Sequence, residues 1–348
     1  MPTLTLEDDI TYFYEDSGAV PGEVYTTLVF VHGLGFNGGV FKKLFPLASS
    51  NKLRIVSIYR RNYPQTSAFT TSDFEDMSKP DDTFLRKQGL EITKFLLAYA
   101  RNEKIPPVQQ ELGTGGIILA GWSLGTVHAV SVLAYLSELP KPMLETLGQY
   151  LHTVVLHDTA AFLLGIPNPP NYDVSFIMHP AAETRFQRFK EWVTGYYAHK
   201  DHLSPSQDSD DLEFDNRSDK PLSLHDISAE ERTSITCFDA FNGSDFVILG
   251  TAPEVYKGIT KRALFDKKLA SECLPNLRVR LLTSGESPGI IIWGLWEFRR
   301  YLEDPTLLAA DAEKARDVKT MCPAEGNHFV FWDDPELAIR QFTECINL

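Results

Sequence analysis

The hydrophobic positions fall into short, nearly continuous runs separated by stretches with a helical period. Residues 27–31, 53–58, 117–120, 153–156 and 277–282 are mostly apolar over four to six positions. Runs of that length predict strands buried on both faces, as in a parallel sheet covered by helices. Residues 83–101 put Ile92, Phe95, Leu96 and Tyr99 on one helical face. Ala129, Val132, Leu133 and Leu136 repeat at i, i+3, i+4 and i+7. Further helices are expected near 40–47, 291–302 and 335–346, with a short strand near 318–321. Residues 4–6 and 10–14 read as a two-strand ribbon closing at Ser17-Gly18. Alternating strands and helices predict the α/β class, with a mostly parallel central sheet and helices on both faces. The alternation stops after residue 160 and resumes near 277. The stretch between is aromatic, contains prolines, and reads as helical or irregular. The expected organisation is a core of residues 1–160 and 273–348, with 161–272 an inserted, mainly helical cap.

One segment imitates a membrane span. Leu112 to Ser137 holds no Asp, Glu, Lys or Arg, long enough to cross a bilayer. Gly121, Ser123 and Gly125 break it, and its two halves have different periods. A buried strand, a tight turn and a buried helix are expected instead. Charge then narrows the partners. The 348 residues carry 33 Lys and Arg against 47 Asp and Glu, a formal −14. Such a chain repels polyphosphate, which argues against nucleic acid. Pro205 to Arg232 holds nine of the acids against three bases. This concentration predicts a solvated stretch of the cap, not a surface for a cationic substrate. The four cysteines show no metal-like spacing, so neither a metal site nor a disulfide framework is expected. Residues 1–16 carry five acids and no apolar run, and the expected setting is cytoplasmic.

Candidate chemistry begins at the turn in that uncharged segment. Gly121-Trp122-Ser123-Leu124-Gly125 sits where a strand is predicted to run into a helix. A Gly-x-Ser-x-Gly turn there exposes the serine hydroxyl above the carboxyl end of the sheet, making Ser123 a candidate nucleophile. His32-Gly33-Leu34-Gly35 follows an earlier strand. Acyl transfer needs two N–H groups aimed at a developing oxyanion, and the backbone amides of Leu34 and Leu124 are the candidates. Gly326-Asn327-His328 follows the last strand. His328 is the only histidine placed that late, and it is the candidate general base and acid; His179, His199, His202 and His225 fall in the insertion. The partner acid has two candidates at strand ends, Asp158 after residues 153–157 and Glu286 after residues 281–285. Each also has a plain reading, as a cap of the next segment or a solvated charge.

These motifs resemble those of the α/β-hydrolase-fold superfamily, and the chain as a whole is similar to uncharacterised fungal members. The likeness covers about residues 3–160 and 275–346. Arg61-Asn62-Tyr63-Pro64-Gln65-Thr66 resembles the family's Arg-Gly-x-Gly-x-Ser loop, with Asn62 and Pro64 where glycines are usual. Members usually place the acid as Gly-x-x-Asp after the penultimate strand, where this chain reads Gly285-Glu286-Ser287-Pro288. Certain lactonases place it after the strand that follows the elbow helix, which matches Asp158. The resemblance therefore favours Asp158, with Glu286 as fallback. It implies a serine hydrolase of a carboxylic ester or lactone, without cofactor or metal, acting on a largely apolar small molecule. A binding protein without turnover, a C–C hydrolase and an acyltransferase share the same frame and stay open. Phe36, Trp122 and Trp192 are candidate pocket residues. Oligomeric state is not legible.

Overall fold

A computed structural model describes residues 2–109, 113–175, 177–200 and 207–348. Leu112, His202 and residues 205–206 of the acidic stretch lie outside the described residues. Among those described, eight strands form one sheet: β1 (Thr3–Thr5), β2 (Thr11–Asp16), β3 (Thr26–Val31), β4 (Leu53–Ile58), β5 (Ile117–Trp122), β6 (Leu151–His157), β7 (Arg278–Leu282) and β8 (Asp317–Met321). Their order is β1-β2-β4-β3-β5-β6-β7-β8. β1 and β2 pair antiparallel at one edge, and every pair from β4 to β8 is parallel. All residues of β3 and β5 are buried. A strand covered on both faces loses the in–out alternation, which is why these strands read as unbroken apolar runs.

The parallel register decides where the chemistry can sit. Trp122 lies opposite His157, and His157 lies opposite Leu282. The residues that follow, Ser123, Asp158 and Thr283, therefore leave the same edge side by side. In parallel sheets that carboxyl edge is where ligands bind.

Helix Gly125–Ala134 is buried at every position. The expected apolar stripe understates it. Helix Thr83–Asn102, helix Pro253–Phe265 and the sheet all pack on it, and a helix covered all round buries its polar residues too, here Thr126, His128 and Ser131. The helix expected near 40–47 is a 3-10 turn, Gly38–Leu44, running into one short turn, Phe45–Ala48. Asn37 caps it through the Gly39 N–H, and successive glycines at 38 and 39 lower α-helical propensity at its start.

Between β6 and β7 no strand occurs among the described residues. This segment contains helices Ala182–Val193, Ala229–Ile235, Pro253–Phe265 and Lys267–Glu272. The acidic stretch within it is held at intervals by buried Leu212, Phe214 and Leu224, so its charges face outward from an anchored chain. No described helix is long and apolar enough to cross a membrane; residues 117–134 form β5 and the helix after it.

Candidate active site

Ser123 occupies the turn between β5 and helix Gly125–Ala134, with φ +55°. A left-handed backbone at a non-glycine residue is strained and persists only where its surroundings enforce it. Its N–H donates to His157 O on β6 (2.9 Å). Gly125 lets the helix come close: a Cβ there would lie 2.1 Å from Val31 O, so the Gly-x-Ser-x-Gly spacing is required by contact with the end of β3.

Asp158, one residue past β6, is fully buried. Its Oδ1 accepts from Ser284 N (2.7 Å), and its Oδ2 accepts from Ser287 Oγ (2.7 Å) and His328 Nδ1 (3.1 Å). Burial pushes its pKa up, but neighbouring His157, His328 and the Ser284 amide outweigh that and hold the carboxyl below its ordinary value. An ionised carboxylate on Nδ1 fixes the tautomer of His328 and leaves Nε2 available to exchange a proton. Glu286 is elsewhere: it pairs with Lys220 and accepts from Gly326 N (3.2 Å). The structure thus sets Asp158 against His328, and Glu286 steadies the loop that carries His328.

Trp122 and Phe36 are corrections. Trp122 is buried behind the site. Its indole N–H donates to His328 O (3.1 Å), with the rings 4.9 Å apart. Phe36 is buried beside it, 4.9 Å from Phe329. Neither lines the cavity at the site. Both follow motif residues in sequence, but strand alternation sends the Trp122 side chain away from the edge that exposes Ser123. Trp192 does line the cavity, anchored by its indole N–H to Phe214 O (2.7 Å).

That cavity, about 330 Å³, brings together Ser123, His328, Leu34 and Leu124. Its walls are mainly apolar and come largely from the β6–β7 segment, including Leu163, Phe189, Trp192, Phe241 and Leu249. Among the described residues, the N–H groups of Leu34 and Leu124 have no hydrogen-bond partner. Sequence reasoning missed Ser284 and Ser287, which hold Asp158. It also missed the role of Asn327, whose Nδ2 donates to Thr194 O, Gly195 O and Ser223 Oγ. The signal was available: polar residues crowd the two strand-end loops, Ser284-Gly285-Glu286-Ser287 and Gly326-Asn327-His328.

Comparison with known proteins agrees with this architecture. Among solved structures, the chain is similar to a lipase-esterase related protein from Clostridium acetobutylicum ATCC 824 (TM-score 0.50, 12% identity, covering 96% of this chain and 99% of that one). It is also similar to an esterase from Exiguobacterium antarcticum (0.47, 12%, 99% and 99%) and to an epoxide hydrolase from Vigna radiata (0.47, 14%, 99% and 97%). At 12% identity the first of these speaks to the fold alone, and the other two carry no argument. No curated protein sequence matches the chain. The profile of the alpha/beta hydrolase family matches residues 28–341, and the chain belongs to that family.

Proposed function

We propose that this hydrolase cleaves a carboxylic ester or lactone of a largely apolar small molecule through an acyl-enzyme on Ser123. The observation that carries the reading is one cavity lined by both Ser123 and His328, with His328 held at Nδ1 by buried Asp158. His328 Nε2 takes the Ser123 proton as Oγ attacks the carbonyl carbon. The carbonyl oxygen becomes an oxyanion held by the Leu34 and Leu124 N–H groups. His328 then protonates the leaving alkoxide as the acyl–oxygen bond breaks. Water enters, gives its proton to His328, and attacks the acyl carbon; collapse returns the proton to Ser123 Oγ. The β6–β7 segment acts as a cap over this chemistry. Its apolar wall recognises the acyl or ring portion and keeps water from competing groups.

The test is a panel of esters and lactones of graded size, run beside Ser123→Ala. Turnover by the wild type that the variant lacks supports the reading. Equal turnover by both excludes Ser123 chemistry. Within the panel, the ratio of lactone to open-chain rates decides the finer substrate class.

A further inference from the structure

An arginine is almost never buried without a purpose for its charge. Arg60, two residues past β4, is 4% exposed. Its Nη2 donates to Gly33 O (2.8 Å), Tyr63 Oη (3.1 Å) and Asp245 Oδ2 (2.9 Å). Asp245 is fully buried and belongs to the segment between β6 and β7. The same Oδ2 accepts from the Gly35 N–H (3.0 Å) and from Tyr63 Oη (2.5 Å).

His32 completes the arrangement. The Arg60 backbone N–H donates to His32 Nε2 (2.9 Å). That nitrogen is therefore the acceptor, and the ring proton sits on Nδ1, 3.1 Å from Gly33 O. The Gly33 carbonyl thus accepts from both Arg60 and His32. In a planar trans peptide the carbonyl and the following N–H point in opposite directions, and no cis peptide occurs among the described residues. Holding Gly33 O on the Arg60 side turns the Leu34 N–H to the other side. The next amide, Gly35 N–H, is already taken by Asp245 and Tyr63. Of the two amides that follow the Gly33 carbonyl, Leu34 N–H is the one without a partner among the described residues, and Leu34 lines the cavity.

We propose that Arg60, anchored by Asp245, is a positioning residue that aims the Leu34 N–H at the reacting carbonyl oxygen. The assignment rests on the serine hydrolase reading above. It also extends it: the anchor lies in the proposed cap, so seating of the cap sets the geometry of the oxyanion site. Arg60 touches no reacting atom, and its effect travels through one peptide plane.

The experiment compares Arg60→Met with the double variant Arg60→Met/Asp245→Asn. The single change strands a buried carboxylate and can lower stability; the double removes both charges and keeps the amide shape. Each is measured for kcat and KM on an ester the wild type turns over, and for inhibition by a trifluoromethyl ketone analogue. Such a ketone forms an oxyanion on addition of the serine. A purely structural role would lower the folded fraction and leave the per-site constants alone. The assignment predicts that kcat falls about 10- to 100-fold in both variants, as for a weakened oxyanion donor. KM stays within about threefold, and the ketone's inhibition constant rises in parallel with the loss of kcat. A folded double variant with wild-type kcat and ketone affinity overturns it. If the wild type neither turns over esters nor is labelled at Ser123 by a fluorophosphonate, the hydrolase reading itself falls, and this assignment with it.

Discussion

Asp158 and His328 lie 170 positions apart in the chain and meet at 3.1 Å, carboxylate Oδ2 to imidazole Nδ1. Two separate crossings of the sheet produce this contact. Asp158 is placed by the parallel register of β6, and His328 by the loop after β8. The pairing predicts unequal results for the two acids first considered. Asp158→Asn offers Nδ1 a donor where it needs an acceptor, and kcat is expected to fall about 10³- to 10⁴-fold with little change in KM. Glu286→Gln, which loses a partly exposed pair with Lys220, should stay within about threefold of wild type. Steady-state kinetics of both variants on one ester decides; a large loss confined to Glu286→Gln would refute the pairing.

Gly33 packs directly on the proposed nucleophile. A Cβ at this position would lie 2.8 Å from Ser123 Cβ and 3.3 Å from its Oγ. Gly33→Ala must therefore push the two loops apart at the point of reaction. A displacement of about 1 Å there costs on the order of 10²-fold in kcat. Circular dichroism should report a folded protein while kinetics reports that loss; full activity would show that the loops can separate without consequence.

Trp192 tests the cavity. It lines the apolar wall and is anchored to Phe214 O. Trp192→Ala enlarges the space and should move the preference toward longer or bulkier acyl groups. Each extra methylene accommodated is worth roughly tenfold or more in kcat/KM, so the ratio of long-chain to short-chain rates is expected to rise by at least about tenfold. An unchanged ratio would place the acyl group elsewhere.

Acidification should destabilise the fold, starting well above the carboxylate range. Burial holds His32, His128 and His157 below the ordinary value of 6.5, aided for His32 and His128 by the Arg60 charge. Burial likewise holds His152 down, to about 4. Each folded-state pKa is lower than its unfolded one, so the unfolded chain binds the extra protons. The stability these neutral rings contribute is fully present above 6.5 and is lost as pH falls below it, by up to about 1.4 kcal/mol per pH unit for each histidine. Asp158, also depressed, adds a second loss below its ordinary 3.8. Urea unfolding at about pH 7.5 and about pH 5.5 should show a drop of a few kcal/mol. Equal stability at the two values would contradict the buried neutral state.

Much of this architecture is legible in the sequence because the central strands are covered on both faces. Residues 53–58 and the helix starting at Thr83 fall where periodicity puts them. The candidate site is legible where it is local: Ser123 and His328, which line one cavity, sit in short motifs beside glycines. What escaped depends on side-chain direction and on contacts across the chain. Trp122 follows a motif glycine yet faces away from the cavity. The support of Asp158 by Ser284 and Ser287 arises only when β7 pairs with β6. The tie from Asp245 to Arg60 spans 185 positions, and neither residue carries a local signal. The cavity walls come from a segment whose helices are short and irregularly joined, so no period marks which faces turn inward.

The central claim is that Ser123 is an activated nucleophile, and mass spectrometry after exposure to a fluorophosphonate tests it most directly. The account predicts one stoichiometric adduct on the peptide containing Ser123, slowed strongly in Asp158→Asn and absent in Ser123→Ala. No adduct on wild-type protein, or an equal adduct on Ser123→Ala, would contradict it.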